Sequence, residues 1–162
     1  MNLLHPGDPF PPLSVALPGG ETLELPAAVA GDWAVVLLFR GSWCPYCNAQ
    51  LRAFERAQDK LLQLGVRVIA LSVDDEPTTQ TLIDRHGLTF PVGHSADPAA
   101  LRDTLGAFLG GDAPYLQSTG FVLDRDGRVV VSVYSSGAIG RLVPEDVAGL
   151  IRYLEDQAAA AA

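Results

Sequence analysis

Apolar positions along the chain fall into runs of two kinds. Val35 to Phe39 and Val66 to Val73 are short and nearly continuous, the pattern of strands buried on both faces. Leu51, Phe54, Leu61 and Leu62 instead recur at helical spacing, with Arg52, Glu55, Arg56, Asp59 and Lys60 between them. This predicts a helix from Cys44 to about Leu64, stopped by Gly65. Before the first buried strand, Gly7-Asp8-Pro9-Phe10-Pro11-Pro12 is an extended lead-in. Leu13 to Leu17 and Thr22 to Leu25, split by Pro18-Gly19-Gly20, read as a hairpin, and Ala27 to Asp32 as a connector.

Downstream, Asp74-Asp75-Glu76-Pro77 reads as a solvated turn, and Thr78 to His86 as a short helix ended by Gly87. Phe90-Pro91-Val92 begins an extended piece. Pro98 to Phe108 is predicted helical behind Asp97 as N-cap, and Leu109 to Gln117 is predicted to be a loop. Thr119 to Leu123 and Arg128 to Tyr134 flank Asp124-Arg125-Asp126-Gly127 as a second hairpin. Val143 to Gln157 closes the chain as a helix with Leu150, Ile151 and Leu154 inward, and residues 158–162 are an Ala-rich tail, either a frayed helix end or a cloning remnant. The order strand, helix, strand, helix, hairpin, helix predicts an α/β fold: a thioredoxin-like three-layer sandwich with an N-terminal hairpin extension and a central mixed sheet flanked by helices.

With 162 residues, 48% of them hydrophobic, the chain can bury one good core, so residues 1–157 are expected to form a single domain. Eleven basic against nineteen acidic residues give a net charge of −8, with no Lys or Arg cluster, which speaks against nucleic acid or an anionic membrane as partner. The stretch Met1 to Phe10 has neither a basic nor an apolar leader pattern, and no segment reaches the ~20 apolar residues of a membrane span. A cytoplasmic location is therefore expected.

In that reducing setting the only two cysteines, Cys44 and Cys47, are expected to turn over rather than to staple. A disulfide closing a 15-residue loop stabilises by ~3 kcal/mol, and a loop as short as Cys-Pro-Tyr-Cys gains less. Cys44 falls at the predicted helix N-terminus, with Pro45 in the first turn where a missing N–H costs nothing. Cys47 lies one turn on, on the same face. At a free thiol pKa of ~8.5 only ~3% of Cys44 would be thiolate at pH 7, whereas a pKa near ~6 would make it ~90%. The helix N-terminus and Arg40, the nearest cation in sequence, are visible sources of such a shift. Cys44 is thus expected to be the nucleophile, Cys47 the more buried resolving thiol, and the two to close a redox disulfide. A zinc site would want four ligands, and His5, His86 and His94 show no partner spacing, so neither a metal nor a cofactor is expected.

The block Phe39 to Cys47, the Gly7-Asp8-Pro9-Phe10-Pro11 opening, the piece from Phe90-Pro91-Val92 to Asp97 and the Phe121-Val122-Leu123-Asp124-Arg125-Asp126-Gly127 hairpin resemble the redoxin branch of the peroxiredoxin and AhpC/TSA superfamily. The likeness runs from about Pro6 to Leu154. It is most specific at Arg40-Gly41-Ser42-Trp43-Cys44-Pro45-Tyr46-Cys47, similar to an Arg-Gly-x-Trp-Cys-Pro-x-Cys variant among peroxiredoxin-like proteins. Typical members carry Pro and Thr or Ser where this chain has Leu37 and Gly41, and Arg where it has Ser118; thioredoxin-like reductases place a cis-Pro near Ser118 and a buried acid at Leu38. The resemblance implies that Ser118 and Thr119 face the cysteines, that Trp43 packs beside and shields the sulfur, and that Tyr46 either shapes access to Cys44 or covers the helix start.

The implied activity is that of a thiol-dependent antioxidant enzyme reducing hydrogen or alkyl hydroperoxides, recycled by a thioredoxin-type or low-molecular-weight thiol reductant, with a homodimer among the implied states. Cys-Pro-Tyr-Cys also occurs in glutaredoxins, so a thiol-disulfide oxidoreductase acting on disulfides is the alternative. A non-enzymatic redox-sensing or interaction domain is a further one.

Overall fold

The computed structural model describes residues 2–162; Met1, the first residue of the leading stretch, lies outside them. Its centre is β3 (Trp33–Leu38), in which all six residues are buried. A fully apolar strand is stable only if both faces are covered, and successive side chains point to opposite faces. Val35 and Leu37, followed by Phe39, enter one core with Leu51, Phe54 and Ile151, while Ala34, Val36 and Leu38 enter the other with Phe10, Leu101 and Leu105.

After a first hairpin, β1 (Leu13–Ala16) with β2 (Thr22–Leu25), the chain enters β3. It then passes through α1 (Pro45–Arg56), α2 (Gln58–Gln63), β4 (Val66–Leu71), α3 (Glu76–His86), β5 (Val92–Gly93) and α4 (Pro98–Leu105). A small hairpin of β6 (Leu109–Gly110) and β7 (Tyr115–Leu116) follows, then β8 (Thr119–Leu123), β9 (Val129–Tyr134) and α5 (Pro144–Ala161). The five-stranded sheet has the order β5-β4-β3-β8-β9. β4 and β5 run parallel to β3, and β8 and β9 are antiparallel. Residues of α1, α2 and α5 cover the first core, and the N-terminal hairpin with α4 the second. This is the mixed, three-layered thioredoxin-like sandwich that the element order predicts.

Several elements differ from the sequence expectation. The helix predicted to run to Leu64 breaks at Ala57, whose backbone (φ −92°, ψ 0°) ends α1 and opens α2. The break resets the helical phase, so that Leu61 is buried and Leu62 is 51% exposed rather than inward. The helix predicted over Pro98 to Phe108 stops at Leu105, because Gly106 takes a left-handed conformation (φ +81°). The helix expected to begin at Thr78 begins at Glu76, with the Asp75 carboxylate accepting from Thr78 N–H at 2.9 Å. Residues 109–117, expected as a loop, pair as the β6–β7 hairpin. Finally, α5 continues through the Ala-rich tail to Ala161. Among the described residues, no helix is long and apolar enough to cross a membrane.

Candidate active site

β3 delivers the chain at Phe39 to a short loop that ends in Cys44, the N-cap of α1. Pro45 takes the first helical position, so its missing N–H leaves no gap in the ladder. Both cysteines are free thiols, and neither sulfur-bearing residue has exposed surface. Accessible surface does not rank the two, but Cys47 is the more deeply enclosed by surrounding protein, as expected. The two differ in what bonds to them.

Cys44 Sγ accepts from Cys47 N–H at 3.3 Å, a free donor of the first helical turn, and from Arg40 Nη1 at 3.7 Å. Cys47 Sγ accepts from the backbone N–H of Arg40 at 3.3 Å and from Arg141 Nη1 at 3.5 Å. For Cys44, burial pushes the thiol pKa up, but hydrogen bonds from the Cys47 thiol and N–H and from Arg40, with the charge of Arg141, outweigh it and set the net direction downward. For Cys47, burial and its hydrogen bond to Cys44 push the pKa up, against the Arg40 N–H and Arg141, and the net direction is upward. The first sulfur is thus the better thiolate of the pair.

Distant segments complete the site. Arg141, in the loop before α5, also bonds Gln50 Oε1 at 3.3 Å and the Ala138 carbonyl at 2.8 Å, while Gln50 Nε2 holds the Leu142 carbonyl at 2.9 Å. Tyr115 of β7 accepts from Arg40 Nη2 at 3.1 Å. Asp74, expected in a solvated turn, accepts from Ser42 N–H at 2.8 Å and ties the cysteine loop to the end of β4. Sequence reading missed Tyr115, Arg141 and Asp74 in these roles. Arg141 lies 94 residues from its sulfur, and no motif joins them.

The other candidates fall as follows. Trp43 is 55% exposed. Its ring lies over Gly41 and edge-on to Tyr115, with centroids 5.0 Å apart. The steric demand of the indole explains Gly41 where a hydroxyl residue is typical, since a Cβ there would sit 2.3 Å from Trp43 Nε1. Tyr46, 51% exposed, lines an apolar groove of about 260 Å³ between α1 and residues 139–144, beside Gln50 and Arg141. Ser118 and Thr119 are buried at the β8 end nearest the loop, but neither hydroxyl bonds a sulfur: Thr119 donates to the Gln117 carbonyl, and the Ser118 carbonyl accepts from Ser135 N–H. Where typical family members carry Arg, this chain has Ser118, and the distant cation at the cysteine pair is Arg141, bonded to Cys47 Sγ.

Comparison with known proteins gives a consistent answer. The profile of the AhpC/TSA family matches residues 6–132. A peroxiredoxin of Treponema denticola is 29% identical over 147 residues, covering 87% of this chain and 69% of its own length. The thiol-disulfide oxidoreductase ResA of Bacillus anthracis is 28% identical over 119 residues, covering 73% of this chain and 61% of its own length. In fold, the crystal structure of a peroxiredoxin-like protein from Aquifex aeolicus superposes with a TM-score of 0.81 over 95% of this chain and 90% of that one, at 16% identity. With a thioredoxin-like sandwich, a Cys-x-x-Cys pair at the mouth of α1 and a family match over most of its length, the chain belongs to the AhpC/TSA family as a peroxiredoxin-like protein.

Proposed function

We propose that the chain is a thiol peroxidase in which Cys44 is the attacking thiolate and Cys47 the resolving thiol. The observation that carries this reading is the unequal pair: two free thiols one helical turn apart, of which Cys44 takes the helix N–H and the Arg40 guanidinium. In the first step Cys44 thiolate attacks an oxygen of the hydroperoxide. The O–O bond breaks, Cys44 becomes a sulfenic acid, and the alkoxide or hydroxide that leaves takes up a proton to become an alcohol or water. The Cys47 thiol then displaces that hydroxyl, releasing water and closing the Cys44–Cys47 disulfide. A dithiol of thioredoxin type, or two low-molecular-weight thiols, supply the two electrons that reopen it.

Arg40 holds positive charge against the sulfur that ionises, and Arg141 stands at the sulfur that must lose its proton in the second step. The apolar groove lined by Tyr46 is the surface on which the alkyl group of an organic hydroperoxide would rest. Neither step needs a metal or an organic cofactor. The reading takes residues 1–157 as one cytoplasmic domain.

A second reading, thiol-disulfide oxidoreductase, is favoured by the likeness to the oxidoreductase ResA and by the Cys-Pro-Tyr-Cys tetrad. Stopped-flow reaction of the reduced protein with hydrogen peroxide, cumene hydroperoxide and a mixed disulfide separates the two. Peroxide is expected to oxidise Cys44 far faster than it oxidises free cysteine. A rate no greater than that of free cysteine, with rapid reaction toward the disulfide, would transfer the assignment to the second reading.

A further inference from the structure

Three glycines around Arg40 lack side chains where two aromatic rings must pass. A Cβ on Gly41 would lie 2.3 Å from Trp43 Nε1, one on Gly110 2.8 Å from Tyr115 Cζ, and one on Gly111 2.7 Å from Tyr115 Cε1. No real Cβ packs so closely, so each glycine makes room for a ring at that place. The Arg40 guanidinium packs against both rings, its Cζ 4.8 Å from the Trp43 ring centre and 5.3 Å from that of Tyr115. Both distances are those of cation–π contacts. The Tyr115 hydroxyl accepts from Nη2 at 3.1 Å, and Nη1 of the same planar group lies 3.7 Å from Cys44 Sγ.

A guanidinium is rigid, so fixing one of its nitrogens and its plane fixes where the other nitrogen points. Its aliphatic stem is not rigid, and an unheld arginine would spread over many rotamers, most of them away from the sulfur. Within the cysteine loop Cys44 alone hydrogen-bonds the head group, and the β6–β7 hairpin brings the needed oxygen acceptor from 75 residues away.

We propose that Tyr115 is a positioning residue for Cys44, acting through Arg40: its ring and hydroxyl, admitted by Gly110 and Gly111, hold the guanidinium with one nitrogen on the reacting sulfur. This rests on Cys44 being the attacking thiol and adds a residue to that site from outside the cysteine motif. Trp43, edge-on to Tyr115, gives the guanidinium a second aromatic contact and completes the clamp. The clamp acts where it matters for thiol chemistry, because a cation held against sulfur favours the thiolate over the thiol.

The test uses the full chain carrying Cys47→Ser, so that a single thiol titrates, and follows iodoacetamide alkylation of Cys44 against pH. Tyr115→Phe keeps the ring and removes only the hydroxyl. It is expected to move the alkylation midpoint upward by about half a pH unit or more, and to slow oxidation by peroxide at neutral pH by about threefold or more, with an unchanged circular dichroism spectrum. In an Arg40→Met background the same substitution should add nothing, since the path runs through Arg40. Gly110→Ala, whose Cβ would sit 2.6 Å from Gln117 Nε2 and 2.8 Å from Tyr115 Cζ, keeps the tyrosine but displaces its ring and hydroxyl together, and should reproduce the upward shift.

A Tyr115→Phe protein whose midpoint coincides with that of its parent would overturn the proposal, as would an equal shift in the absence of Arg40. Should the unsubstituted protein react with peroxide no faster than free cysteine, the peroxidase reading falls, and the alkylation midpoints still decide the part played by Tyr115.

Discussion

The surroundings of the two sulfurs are built from different parts of the chain. Cys44 is served mainly by neighbours: the N–H of Cys47 and the guanidinium of Arg40, both within four residues. Cys47, a turn deeper in α1, takes one bond from the Arg40 backbone and the other from Arg141, on a loop clipped to α1 by Gln50. A thiol that attacks a diffusing oxidant has to be ionised beforehand, and a helix mouth with a nearby cation achieves that locally. A thiol that attacks only its neighbour can wait protonated, and a cation brought by tertiary folding stands at that sulfur when it does so.

The most drastic way to break the contrast is to remove each sulfur in turn. Cys44→Ser should abolish reaction with peroxide in stopped-flow traces. Cys47→Ser should leave the first step and stop the cycle, with a sulfenic acid on Cys44 detectable by dimedone trapping and mass spectrometry; a Cys47 adduct from the Cys44→Ser protein at comparable rate would reverse the roles.

A control on the shared core comes next. Phe54 is fully buried among the residues that enclose both sulfurs, so Phe54→Ala should cost about 3–5 kcal/mol in chemical denaturation. It should do so without changing which thiol alkylates first.

Arg141→Met sharpens the comparison, because it strips the distant cation and leaves the local one. Disulfide closure, read by quenched mass spectrometry after a peroxide pulse, is expected to slow by about tenfold, and the first step by less, since Arg141 bonds Cys47 and reaches Cys44 only through its charge.

Titration gives the same contrast without a substitution. The pair should lose its protons in two steps, the first below and the second above the free-thiol value of ~8.5. The sign in stability follows. Cys44, with its folded pKa lowered, contributes stability that is present above the unfolded thiol pKa and is lost as pH falls through the folded value. Cys47, with its folded pKa raised, contributes below the unfolded value and loses that contribution as pH rises through the folded one. Thiolate absorbance at fixed temperature reads the first statement, and melting at a series of pH values reads the second.

The smallest expected effect is on the tether. Asp74→Ala removes the acceptor of Ser42 N–H and should cost about 1–2 kcal/mol, with faster hydrogen exchange confined to the cysteine loop.

Much of this architecture was legible in the residues. A continuous apolar run with the length of a strand has to be covered on both sides, which places β3 at the centre. Cys44 with Pro45 marks the start of α1, and the spacing of Cys47 puts both sulfurs on one face. The break at Ala57 was not legible, because no proline or glycine announces it and the apolar spacing carries on across it. The β6–β7 hairpin was hidden for the opposite reason. A pairing of two residues on each side is too short to show alternation, and Gly110-Gly111 reads as a loop until the Tyr115 ring is seen lying against it.

Sequence alone determined which atoms can do chemistry here, how far apart they lie along α1, and that the nearest cation in the chain is Arg40, since all of this is contained within eight consecutive residues. Only the tertiary structure decided what holds that cation in place and what stands beside the second sulfur. Tyr115, from the β6–β7 hairpin, and Arg141, from the loop before α5, reach the site from segments whose positions depend on how β8, β9 and α5 pack against β3. Side-chain direction across such distances is a property of packing, and it leaves no periodic trace in the order of the residues.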